Sequence, residues 1–128
     1  MARKIYITGP DRLKLMKLID GLGDDIKTKD YIRELYKDLM HADIVSAPKI
    51  PADTVRIYSQ VLISLDGDTD EIRLAYPDEA DALRNIISVF SPLGASVFGR
   101  REGGAFECSA INVKNAVIEG VYNGRTGA

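Results

Sequence analysis

The chain predicts an α+β fold: an N-terminal antiparallel helical hairpin, in effect a short coiled coil, then a mostly antiparallel five-stranded sheet with one short helix. Three observations predict it. Apolar residues recur at helical spacing in two blocks before residue 43 and alternate with polar ones after residue 54. Two prolines, Pro48 and Pro51, separate the blocks, and each removes a backbone donor and biases its predecessor toward extended geometry. Strands and helices are therefore segregated rather than interleaved.

Taken in order, Arg3–Thr8 is a short β-rich run. Thr8-Gly9-Pro10-Asp11 then carries a helix-start signature, a threonine followed three residues later by an acid with proline in the first turn. Leu15, Leu18, Ile19 and Leu22 define one helical face, and Gly21-x-Gly23 breaks the helix. After a short acidic turn, Thr28 or Asp25 is placed to cap a second helix running to about Ala42. Its apolar stripe is Ile32, Leu35, Tyr36 and Leu39, with Asp30/Arg33 and Glu34/Lys37 on the wet side. Two striped helices across so short a turn are expected to pack antiparallel.

Past the prolines, Val55, Ile57, Val61, Ile63 and Leu65 alternate as one half-buried strand. Asp66-Gly67 is a hairpin-turn pair, and Glu71–Tyr76 returns with Ile72, Leu74 and Tyr76 on one face. Pro77–Leu83 reads as a loop with room for one helical turn. Ile86–Phe90 is a β-rich run that stops at Ser91-Pro92, a helix cap followed by a residue suited to the first helical position. The short helix Pro92–Phe98 ends at Gly99, and a loop, Arg100–Gly104, leads into strands Ala105–Ile111 and Ala116–Tyr122. The expected division is thus a hairpin over residues 1–46, a linker at 47–52, a sheet domain at 53–123 and a frayed tail at 124–128.

Composition excludes several functions. A formal charge of −2 over 128 residues argues against general nucleic-acid binding, which needs a basic footprint. Cys108 is the sole cysteine, so no intrachain disulfide forms, and with no signal peptide or long apolar run the chain is expected to be cytoplasmic, with no membrane partner. His41 is the only histidine and has no histidine or cysteine at ligand spacing. Cys108 alternates with Phe106 and Ala110, as a buried small hydrophobe would. No phosphate loop or triad pattern is present, so no cofactor, metal site or catalytic residue is expected.

The tract Ser88-Val89-Phe90-Ser91-Pro92-Leu93-Gly94, followed by a small-apolar helix, Gly99 and then Gly103, resembles the C-terminal domain of the bacterial Gre transcript-cleavage factors. Tyr76-Pro77-Asp78-Glu79-Ala80-Asp81 is similar to their acidic run before the Ser-Pro corner. The N-terminal strand and hairpin, the Ile50-Pro51 that ends the linker and the Asp53-x-Val55 opening of the sheet domain resemble the related regulator of nucleoside diphosphate kinase. The resemblance implies an FKBP-like C-terminal domain that docks on bacterial RNA polymerase at the secondary-channel rim. It assigns the contact to Ser88, Phe90, Ser91, Pro92, Leu93 and Gly94. Phe90 replaces a residue that tends to be polar in the cleavage factors, and Gly103-Gly104 stands where Gly-Asp is usual.

The resemblance also draws attention to Asp24 and Asp25 at the hairpin tip, since two tip acids help the cleavage factors hold a magnesium ion in the polymerase active site. Adjacent aspartates are equally ordinary turn chemistry. A second helix of about fifteen residues reaches only roughly 22 Å at ~1.5 Å per residue. The expectation from reach is a polymerase-binding regulator that is not an enzyme and does not cleave transcripts. The alternatives are a short-armed cleavage and elongation factor using the tip acids, and a peptidyl-prolyl isomerase by fold analogy. The absence of tryptophan argues against the last.

Overall fold

A computed structural model describes residues 3–123; the tail expected at 124–128 lies outside the described residues. The chain divides into two compact units, Met1–Pro51 and Ala52–Ala128.

In the first unit, strand β1 (Tyr6–Ile7) leads into helix α1 (Gly9–Asp20), and the N-terminal signature works as its chemistry requires. Thr8 is the N-cap, its hydroxyl accepting from the Asp11 N–H at 3.3 Å, and Pro10 sits in the first turn. The expected acidic turn is a one-turn helix, α2 (Asp24–Lys27). Helix α3 (Asp30–Met40) follows and packs against α1. Neither proposed cap serves α3. Lys29 is its N-cap, without a side-chain hydrogen bond, because Thr28 closes α2 instead and donates its hydroxyl to the Asp24 carbonyl at 2.7 Å.

Leu15, Ile19, Ile32, Leu35 and Leu39 are fully buried, so the inward stripes are those the spacing predicts. Leu18 departs from its stripe and is 36 % exposed. Helix α3 ends at Met40 rather than Ala42, because the chain turns into a strand the periodicity did not reveal, β2 (Asp43–Ile44). It pairs in parallel with β1, with the Asp43 and Val45 N–H groups donating to the carbonyls of Ile5 and Ile7. The Pro48 segment forms a 3-10 turn over Ala47–Lys49, after which Ile50 is buried.

The second unit is a mixed five-stranded sheet of β3 (Gln60–Leu65), β4 (Asp68–Ala75), β5 (Ile86–Ser88), β6 (Ala105–Cys108) and β7 (Val113–Tyr122), ordered β5-β4-β3-β7-β6. β5 lies parallel to β4 and the other pairings are antiparallel. The single strand expected from Val55 to Leu65 does not form. Tyr58 takes a left-handed φ of 73°, and a turn closes from the Ser59 N–H to the Arg56 carbonyl, so β3 begins at Gln60. Asp66-Gly67, with φ of 49° and 93°, makes the hairpin turn as expected. The Pro77–Leu83 loop holds two 3-10 turns, Pro77–Glu79 and Ala82–Arg84. The run Ile86–Phe90 pairs only to Ser88. The expected strand Ala105–Ile111 stops at Cys108, where Ser109–Ile111 tightens into a 3-10 turn.

The core of this unit gathers Val61, Ile63, Leu74, Val89, Val97, Ala116 and Ile118. Above it, helix α4 (Pro92–Val97) packs against β5 and β6. Gly99, with φ of 82°, turns the chain out of α4.

Candidate functional site

The Ser88–Gly94 tract forms a rigid corner where β5 hands over to α4. The Val89 N–H donates to the Ala75 carbonyl at 2.9 Å, which anchors the end of β5 to β4. The Ser88 hydroxyl accepts from the Phe90 N–H at 3.0 Å, and the Ser88 carbonyl accepts both the Ser91 N–H at 3.0 Å and the Ser91 hydroxyl at 2.6 Å. The same Ser91 oxygen accepts from the Gly94 N–H at 3.0 Å, capping α4. Two serines thus tie three turns of backbone to one another, which leaves the corner little freedom to relax.

The six residues assigned to the contact are brought together here, although not all are presented. Ser88, Ser91, Pro92 and Leu93 are half-buried, whereas Gly94 and Phe90 are buried, Phe90 at 7 % exposure. The Phe90 ring belongs to the core.

Beneath α4, the Pro92 carbonyl accepts the Ser96 hydroxyl at 2.8 Å and lies 3.7 Å from the Cys108 sulfur. Cys108 is buried, in the role its alternation suggested. The Arg100 guanidinium lies 4.4 Å from the Phe106 ring centre, with its Nε donating to the Ser96 carbonyl at 2.7 Å.

On the other side of β5, the Asp78-Glu79 acidic run is held in place. The Tyr58 hydroxyl donates to Glu79 at 2.8 Å, and the Tyr58 ring meets Tyr76 edge-on at 6.2 Å. This bond holds the Tyr58 phenol up at about 12, chiefly because Glu79 accepts its proton and secondarily through burial and nearby negative charge. Sequence reasoning missed this pair, because the two residues lie twenty-one positions apart.

In the first unit, Asp24 and Asp25 occupy the first turn of α2 and are both exposed. Two neighbouring carboxylates supply hard oxygen ligands of the kind magnesium takes, yet fewer than its octahedral shell requires. Any ion they help hold must draw its other ligands from water or from a partner. Among the described residues no group of three or more His, Cys, Asp or Glu side chains is arranged to hold a metal ion. His41 is exposed at the C-terminal end of α3. Among the described residues no helix is long and apolar enough to cross a membrane.

The first unit also carries a surface that sequence reasoning passed over, the outer face of α1. Leu13 is 58 % exposed and Ile44 48 % exposed. The signal was available in Leu13 and Met16, two apolar residues off the buried stripe.

Known proteins align with this architecture. The family model described as "Transcription elongation factor, GreA/GreB, C-term" matches residues 50–119, which include the whole corner. The chain is similar to the transcription elongation factor GreA of Nitrobacter winogradskyi, 34 % identical over 82 residues, covering 62 % of this chain and 51 % of that protein. It is also similar to the GreA of Hyphomonas neptunium, 34 % identical over 96 residues, covering 71 % of this chain and 60 % of the relative. The chain thus spans about half the length of the first of these curated relatives. Among solved structures, a transcription elongation factor GreA/GreB from Nitrosomonas europaea superposes with a TM-score of 0.76 at 23 % identity, covering 94 % of this chain and 98 % of that one. The GreA factor homolog Gfh1 of Thermus thermophilus superposes at 0.50 and 17 % identity, covering 94 % and 100 %. These structural likenesses concern the fold.

One expectation is overturned. The relatives are named transcription elongation factor GreA, and this displaces the expectation, drawn from reach, that the chain is not an enzyme. Through the segment that contains the Ser-Pro corner, the chain belongs to the GreA/GreB transcription elongation factor family.

Proposed function

We propose that the chain acts on bacterial RNA polymerase as a short-armed elongation factor of the GreA/GreB type. In this reading the second unit holds the rim of the secondary channel through Ser88, Ser91, Pro92 and Leu93, with Phe90 and Gly94 shaping the corner behind them. Asp24 and Asp25 at the tip of the helix pair assist transcript cleavage, adding oxygen ligands to an ion otherwise held by the polymerase. The observation that carries the reading is the family match over residues 50–119, together with a corner whose backbone is tied down by its own serines. A rigid corner loses little freedom when it docks, so its contacts convert efficiently into affinity. The finer likeness to regulators of nucleoside diphosphate kinase rests on the order of motifs along the chain, and an effect on that enzyme would follow from the transcription it alters.

The test pairs binding with chemistry. The protein competes with labelled GreA for core RNA polymerase, and Ser91→Ala/Pro92→Ala weakens that competition by about tenfold, the scale of ~1.4 kcal/mol. With backtracked complexes, added protein shortens the transcript, and Asp24→Ala/Asp25→Ala abolishes shortening while leaving competition intact. Failure to compete at micromolar concentration would sink the docking. Competition without shortening would remove the role of the tip acids.

A further inference from the structure

Helix α1 is apolar on more than one side. Leu15 and Ile19 face the core, whereas Gly9, Arg12, Leu13, Met16, Lys17 and Asp20 step by three, one, three, one and three and share a separate outer face. Ile44 of β2 joins this face, its Cγ2 lying 3.7 Å from where a Cβ on Gly9 would stand. The result is an open groove lined by Met16 and Ile44, with the exposed Leu13 as the ridge along one edge and Arg12 and Lys17 beside them. Across the Leu13 ridge, a second depression is lined by Pro10, Lys14 and Leu18. Leu13 and Ile44 stay about half exposed on this face.

From this arrangement we infer that the outer face of α1 with Ile44 is a docking groove for an acidic segment of a partner protein that carries apolar side chains at helical spacing. Charge complementarity selects this occupant. Arg12 and Lys17 border the apolar lining with Asp20 as the one acid among the lining residues, so an acidic flank is attracted while an apolar stripe fills the groove. A second copy in parallel would oppose cation to cation, whereas an antiparallel copy would set Arg12 against Asp20. Concentration-dependent shifts of the chain without peptide would assign the face to that copy and overturn the proposal. A nucleic-acid strand would find neither an aromatic ring on which to stack a base nor a polar floor. The groove is about the length of α1, twelve residues or roughly 18 Å at ~1.5 Å per residue, which suits about three turns of partner helix. A contact of that length falls at the small, weakly binding end of protein interfaces.

The experiment titrates the isotope-labelled full chain, followed by amide NMR, with a synthetic helical peptide of about 14 residues. The peptide has leucine at i, i+3, i+4 and i+7 and glutamate elsewhere. A twin with lysine for glutamate and an RNA oligonucleotide are run alongside. The expected result is saturable binding of the glutamate peptide alone, with shifts confined to Gly9–Lys17 and Ile44, weakening several-fold as salt is raised. Leu13→Gln, at an exposed position, reduces the affinity at least fivefold, and Arg12→Glu/Lys17→Glu inverts the preference toward the lysine peptide. Equal binding of both peptides, preferential binding of RNA, shifts centred elsewhere, or no saturation at millimolar peptide would each overturn the proposal. No polymerase is present, so the outcome is independent of the proposed docking at the Ser-Pro corner.

Discussion

A Cβ on Gly94 would lie 1.9 Å from the carbonyl oxygen of Ser88. The first turn of α4 presses directly on the end of β5, and only a residue without a side chain admits that approach. The obstacle is backbone, and the same oxygen already accepts two hydrogen bonds from Ser91, so it has no free direction in which to move. Gly94→Ala is expected to destabilise the second unit by about 3 kcal/mol, at the upper end of overpacking costs. A urea titration that found the variant within experimental error of the parent would show that the corner is soft.

Asp38 is the charged residue the spacing of α3 left unexplained. It is only 4 % exposed, and its carboxylate accepts from the Arg3 backbone N–H and from Arg3 Nε, each at 3.1 Å. Burial lowers the Arg3 pKa and Asp38 opposes that shift; the guanidinium remains protonated at any ordinary pH. Asp38→Ala removes the acceptor of two Arg3 hydrogen bonds and is expected to cost about 1–3 kcal/mol, less than a fully interior pair because Arg3 keeps some access to water. Asp38→Asn, which retains an acceptor, is expected to cost less. Equal losses for the two variants in thermal melts would assign the effect to the charge, which both remove, rather than to the acceptor and volume that Asn keeps.

The Tyr58–Glu79 bond gives an alkaline signature. The phenol pKa in the fold, about 12, stands above the ordinary 10.0, so the folded state holds its proton more tightly than the unfolded chain. The resulting stabilisation is fully present below about pH 10 and is lost as pH rises toward 12. Because Tyr58 is half exposed, the effect on stability is small and salt-sensitive, and absorbance is the better readout. Phenolate absorbance is expected to show a late step that vanishes in Tyr58→Phe and moves to lower pH in Glu79→Gln. A late step that survives Tyr58→Phe belongs to another tyrosine.

What was legible in the residues was local chemistry. Thr8 before Pro10 and Asp11, Ser91 before Pro92, Asp66-Gly67 and Gly99 each carry their conformational consequence within a few atoms, and all four act as their chemistry predicts. The inward stripes of α1 and α3 were legible for the same reason, since helical period alone places Leu15, Ile19, Ile32, Leu35 and Leu39 on buried faces. The candidate corner was legible as a cap and as a family resemblance, because serine, proline and glycine at those spacings constrain the backbone without help from distant residues.

Long-range pairing was decided by tertiary structure. Whether Asp43–Ile44 ends a helix or pairs with Tyr6–Ile7 depends on hydrogen bonds to Ile5 and Ile7, more than thirty residues away. The parallel placement of β5 on β4 and the interruption at Tyr58 arise in the same way, from backbone partners that no short window contains. So does the burial of Asp38, whose partner Arg3 lies thirty-five residues off, and so does the outer face of α1, completed by Ile44. Periodicity states which residues share a face. Only the assembled chain decides what that face meets, because the free energy of burial and pairing belongs to contacts rather than to positions.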